Sequence, residues 1–95
     1  MSYVIITVGN VKLAARFEEA AAPKSCEAIR ALLPFSSKCV HVRWSGEAVW
    51  VPMGDRHLAV PSENATSYPA PGQILLYPGG ISETEILMAY GATHF

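Results

Sequence analysis

The stretch HVRWSGEAVWVPMGDRHLAVPSENATSYPAPGQILLYPGG, residues 41–80, decides the fold of this chain. Around its start the period is two: Val40, Val42 and Trp44 fall on one face of an extended segment, and Cys39, His41 and Arg43 on the other. Ser45-Gly46 reverses the chain, and Ala48 to Val51 returns as a second strand stopped by Pro52. Met53-Gly54-Asp55-Arg56 then reads as a turn before a strand at His57 to Val60. A loop rich in Pro, Asn and Tyr runs from Pro61 to Gly72, and Gln73 to Tyr77 is again a short apolar strand before the turn Pro78-Gly79-Gly80. A loop whose side chains both stack and hydrogen-bond costs conformational entropy to order, and such loops between strands are where binding sites concentrate.

Outside this stretch the same logic holds. Tyr3 to Val8 is apolar and β-branched, and Gly9-Asn10 turns it into Val11 to Phe17, whose alternation marks the second arm of a β-hairpin. The period then changes. Cys26, Ala28, Ile29, Leu32 and Leu33 recur at three-to-four spacing, which predicts an amphipathic helix from Pro23 to Leu33, with Pro23 in its first turn and Pro34 ending it. A last strand runs from Glu85 to Tyr90. About seven short strands, one helix and frequent Gly or Pro turns predict a mainly β domain, a closed or nearly closed antiparallel barrel with one α-helix capping an end. No repeat or linker divides the chain, so residues 1–95 read as a single domain.

Composition narrows the function classes. A hydrophobic content of 51% supports a core, while a net charge of -1 with no basic block argues against sequence-independent nucleic-acid binding. The apolar runs are too short for a membrane-spanning helix. MSYVIITVGNVKL lacks a basic region before its apolar run, so it reads as a first strand instead of a signal peptide, and the expected location is cytoplasmic. Cys26 and Cys39 have no metal-ligand spacing and read as reduced, mostly buried thiols. His41, His57 and His94 lie far apart, so neither a metal nor a cofactor is expected.

Several pieces of the chain carry a resemblance. Ala22-Pro23-Lys24-Ser25-Cys26 opens the helix, His41-Val42-Arg43-Trp44-Ser45-Gly46-Glu47 forms the hairpin, residues 61–72 form the long loop, and Tyr90-Gly91 lies near the end. Together these resemble a bacterial family of uncharacterised proteins with a cyclophilin-like fold, known chiefly as a domain of unknown function. The resemblance covers nearly the whole chain. It implies a small cyclophilin-like β-barrel and not prolyl isomerase activity, because the family is only distantly similar to true cyclophilins and the Phe-x-x-x-x-Gln arrangement of the isomerase site is absent. Members of that family continue past the Tyr-Gly strand, whereas this sequence stops at His94-Phe95. A barrel ending there exposes backbone donors and acceptors along an edge, so either a partner subunit covers it or the barrel closes with fewer strands. A homo-oligomer is the expectation.

The candidate chemistry lies in the hairpin and the loop. His41 and Arg43, two strand positions or roughly 6.6 Å apart, form a pair suited to a carboxylate, with Arg43 supplying a forked contact. The plainer reading is a solvated face, or an Arg43–Glu47 salt bridge. Trp44, next to a tight turn, is placed to stack on a planar ligand, although Trp residues here more often pack. Glu63 reads as an acid/base group or polar anchor and Asn64 as an amide-recognising fork, against the plainer reading that Ser62 and Asn64 satisfy loop backbone. Pro69, Pro71 and Gly72 hold Tyr68 in a rigid turn, with Tyr68-Pro69 open to a cis bond. Tyr77 and Tyr90 line a cavity or simply pack.

The leading expectation is a small-molecule binding domain, an auxiliary catabolic enzyme if it is one. It would take a small anionic or amide-bearing ligand at a barrel-edge pocket framed by Arg43, Trp44, Glu63, Asn64 and Tyr68, with Glu63 or His41 moving a proton. The alternative is a non-catalytic protein-interaction or self-assembly module. Peptidyl-prolyl isomerase activity rests on fold analogy alone.

Overall fold

A computed structural model describes residues 3–54, 58, 60–79 and 83–95. The chain is mainly β with one helix. Strands β1 (Tyr3–Val8) and β2 (Val11–Arg16) form a two-stranded antiparallel sheet. Helix α1 (Pro23–Leu32) follows. Strands β3 (Val40–His41), β4 (Gly46–Pro52), β5 (Ile74–Tyr77) and β6 (Glu85–Thr93) make an antiparallel sheet in the order β3-β4-β6-β5.

Local sequence explains each element. Val8 pairs with Val11 across Gly9-Asn10, and Gly9 takes φ +62°. That is the geometry of a two-residue hairpin with glycine at the first central position, which is why Gly-Asn serves here in place of Asn-Gly. Pro23 opens α1, where the missing N–H costs nothing, and Leu33 leaves the helix at extended dihedrals before a cis Leu33-Pro34 bond. The cis proline is thus Pro34 and not Pro69. Gly46 carries φ +121° at a register shift that leaves Glu47 outside the β4–β6 ladder. The Glu47 carboxylate accepts the Ala92 N–H at 3.1 Å, and its carbonyl accepts the Thr93 hydroxyl at 3.0 Å.

The expected closed barrel is not what the described residues form. They make two open sheets: the hairpin pairs only with itself, and β3 and β5 remain edge strands. Other boundaries shift less. β3 stops at His41, because the chain bends over residues 43–45, so His41 and Arg43 do not share a strand face. β4 runs through Pro52, whose partner is Glu85 near the end of the ladder, and β6 extends three residues past Tyr90. The strand expected at His57 to Val60 and the turns through Asp55-Arg56 and Gly80 fall wholly or partly outside the described residues.

The interior is thin. Cys26, Ala48, Pro69, Thr84 and Ala89 are the buried positions among the described residues, and the largest fully buried side chain is that of Thr84. Cys39 is exposed, contrary to the expectation of two buried thiols, since it precedes the edge strand β3. No helix is long and apolar enough to cross a membrane among the described residues.

Candidate functional site

Register sorts the four-stranded sheet into two faces. Val40, Trp50, Leu87 and Leu75 lie in one cross-strand row, and Glu85 with its partner Tyr77 lies in the next row of the same face. His41, Val49 and Met88 occupy the opposite face. The first face floors a groove of about 450 Å³. Its walls come from the bend, Arg43, Trp44 and Ser45, and from Phe95.

Backbone hydrogen bonds tie His94 to the bend and Phe95 to the 61–72 loop. His94 N–H donates to the Ser45 carbonyl at 2.9 Å, and Phe95 N–H donates to Ser67 at 2.8 Å. These bonds set Phe95 beside the hairpin turn and carry the 61–72 loop along with it.

Arg43 places its guanidinium 5.1 Å from the centre of the Trp44 ring, a cation–π contact. Trp44 is 84% exposed, so its ring is open to solvent at the groove wall. Among the described residues no carboxylate pairs with Arg43; Glu47 spends its carboxylate on Ala92 instead. At the other end of the groove Glu85 is half-buried beside Tyr77 and Leu87. Burial pushes its pKa up, and the neighbouring Glu83 carboxylate adds to the shift. Since Glu85 is level with Pro52 and Arg43 lies in the bend before Gly46, the two charges stand at opposite ends of β4, a span of roughly 20 Å at strand rise.

Of the other sequence-level candidates, Glu63, Asn64 and Tyr68 are placed elsewhere, while His41 borders the groove. The Glu63 carboxylate accepts Ser25 N–H at 2.8 Å, Ser25 Oγ–H at 3.0 Å and Lys24 N–H at 3.2 Å, closing the N-terminus of α1, which has no side-chain cap of its own. Partial desolvation raises its pKa, but the hydrogen bonds from Ser25 and Lys24 outweigh it and the net shift is downward. Asn64 sits at φ +51°, a left-handed conformation that Asn tolerates, and so shapes the loop. Tyr68 is 72% exposed and stacks on His94, with ring centres 4.4 Å apart and planes 2° from parallel. His41 borders the groove, but its ring is engaged: Nδ1 lies 2.6 Å from the Val42 carbonyl and Nε2 lies 2.6 Å from the Tyr90 hydroxyl. A carbonyl only accepts, so Nδ1 carries a proton and, in the neutral ring, Nε2 accepts from Tyr90.

The structure therefore joins His41, Arg43 and Trp44 at one groove and separates Glu63, Asn64 and Tyr68 from it. Glu85 was missed by the sequence reading. One signal was present: it is the only charged residue in the strand sequence EILMAYGAT. Among the described residues no cluster of three His, Cys, Asp or Glu side chains is arranged to hold a metal.

Comparison with known sequences places residues 4–95 on the model of a family described as a protein of unknown function, DUF3830. No curated protein and no solved structure matches the chain.

Proposed function

The chain belongs to this DUF3830 family, and on that premise we propose that it is a small-molecule binding domain for an elongated anionic ligand. The anionic group lies against Arg43, a planar part stacks on Trp44, and an apolar body follows Trp50 and Leu87 along the groove. The observation that carries the reading is Arg43, a guanidinium held against an exposed aromatic ring and without a carboxylate partner among the described residues. The groove volume of about 450 Å³ is within the range of small-molecule sites, and its mix of apolar floor and few polar groups is usual for them. Where the domain is also catalytic, Glu85 is the proton-handling group, because Glu63 and His41 are engaged in structural hydrogen bonds and Glu85 has its pKa raised. An auxiliary catabolic role and a cyclophilin-like barrel belong to this reading and not to the observed fold.

The test is a thermal-shift screen of carboxylates bearing planar or apolar bodies, followed by titration of tryptophan fluorescence. The reading expects at least one ligand whose binding falls by about tenfold or more in Arg43→Ala, the loss of one charge-assisted contact of roughly 1.5–3 kcal/mol. Ligands that bind equally to wild type and Arg43→Ala reject the groove.

A further inference from the structure

The two strands of the N-terminal hairpin present different edges. β2 carries Lys12 and Arg16, charges of the kind that keep an open edge from pairing with other chains. β1 reads YVIITV, with no charge, no proline and no bulge in its register with β2. Among the described residues its outer edge pairs with nothing. One face of the hairpin is wholly apolar: Val4, Ile6, Val8, Val11, Leu13 and Ala15, of which Val8, Val11 and Leu13 are exposed. A hairpin standing alone is marginal in water, so pairing with further strands would stabilise this one.

We propose that β1 pairs antiparallel with β1 of a second copy, making a four-stranded sheet β2-β1-β1-β2 across a two-fold axis. Self-complementarity favours the second copy as occupant: an uncharged strand meets its own sequence with no like charges opposed, while the Lys12 and Arg16 edges face outward. Geometry also restricts the register. Cross-strand neighbours share a face and the axis is perpendicular to the sheet, so the axis passes midway between two copies of one residue, and Ile5 or Ile6 sits opposite its own copy. The two apolar hairpin faces then merge into one continuous surface on the same side of the new sheet. Tyr3 and Ile5, now 65% and 62% exposed, line up across the other side.

Sedimentation equilibrium of the whole chain tests this, comparing wild type with Ile5→Lys and with Lys12→Glu. Wild type is expected at twice 10.2 kDa. Ile5→Lys, which sets two ammonium groups near the axis from a position exposed in the protomer, is expected at the monomer mass with unchanged far-ultraviolet dichroism. Lys12→Glu is expected to remain dimeric. A monomeric wild type, a fully dimeric Ile5→Lys, or dissociation by Lys12→Glu overturns the proposal. Should Ile5→Lys lose its fold, hydrogen exchange of wild type decides: β1 amides gaining protection with protein concentration support the pairing, and concentration-independent exchange overturns it.

Discussion

Glu63 holds the N-terminus of α1 through Ser25, accepting both its backbone N–H at 2.8 Å and its hydroxyl at 3.0 Å. The two residues are 38 positions apart, so the bonds tie the 61–72 loop to the helix as well as capping it. Glu63→Gln keeps the shape and one acceptor oxygen but loses the charge that favours a helix N-terminus. We expect a lower melting temperature for Glu63→Gln at neutral pH and a larger drop for Glu63→Ala. The pH dependence has a definite sign. Because the folded-state pKa is depressed, the stabilisation is present above the ordinary glutamate pKa and is lost as pH falls through the folded value. Melting curves of wild type and Glu63→Gln should therefore converge in acid; a gap that persists at low pH would refute the charge-based account.

Glu85 has the opposite sign. Its folded-state pKa is raised, chiefly by burial and secondarily by Glu83, so its protonated form is the one the fold prefers. The stabilising contribution of that proton is complete below the unfolded pKa and disappears as pH rises through the folded value. Glu85→Gln imitates the protonated side chain. It should melt higher than wild type at pH 7, by less than about 1 kcal/mol because the open side of the groove screens the charge, and the advantage should vanish near pH 4. Thermal denaturation across that range checks it, and a Gln variant less stable than wild type at pH 7 would contradict it.

Gly46 and Gly9 both have positive φ but differ in surroundings. A Cβ at Gly46 falls on the Ala92 carbonyl oxygen, in backbone that cannot yield cheaply, whereas a Cβ at Gly9 meets nothing within 4 Å. Gly9→Ala should cost about 1 kcal/mol for its backbone conformation alone. Gly46→Ala adds overpacking and should cost more than about 2 kcal/mol. Urea denaturation distinguishes the two, and equal costs would mean that the β4–β6 bulge is softer than described.

His41 and Tyr90 define a prediction about tautomers. The contact to the Val42 carbonyl fixes the proton on Nδ1 in the neutral ring, with Nε2 bonded to Tyr90. Long-range nitrogen–proton spectra should show the Nδ1–H form in wild type at neutral pH. Tyr90→Phe removes one partner and should shift the population toward the commoner Nε2–H form, at a stability cost of about 1 kcal/mol or less for an exposed bond. A predominant Nε2–H tautomer in wild type would show that the Val42 contact does not hold.

Much of this protein was legible in its sequence because it depends on local chemistry. The period of two in residues 3–16, the three-to-four spacing after Pro23 and the Gly or Pro punctuation placed the helix and most strands within a residue or two. Those signals report which side of an element is apolar, and no more. Which sheets close, and onto what, depends on pairing between distant strands, so the strand count suggested a barrel while the described residues pair as two open sheets. The candidate site divided for the same reason. Arg43 and Trp44 are adjacent in sequence and stayed together, while Glu63 was drawn 38 positions back to Ser25 by unpaired amides that no local pattern announces. Glu85 gained its character only when register set it beside Tyr77 and Leu87, where desolvation acts on a carboxylate that is unremarkable along the chain. Sequence alone determined the elements and their apolar faces through short-range steric and hydrogen-bonding preferences. Tertiary structure alone decided which charges are capped, which are desolvated and which stand open, because those properties belong to groups distant in sequence and neighbouring in space.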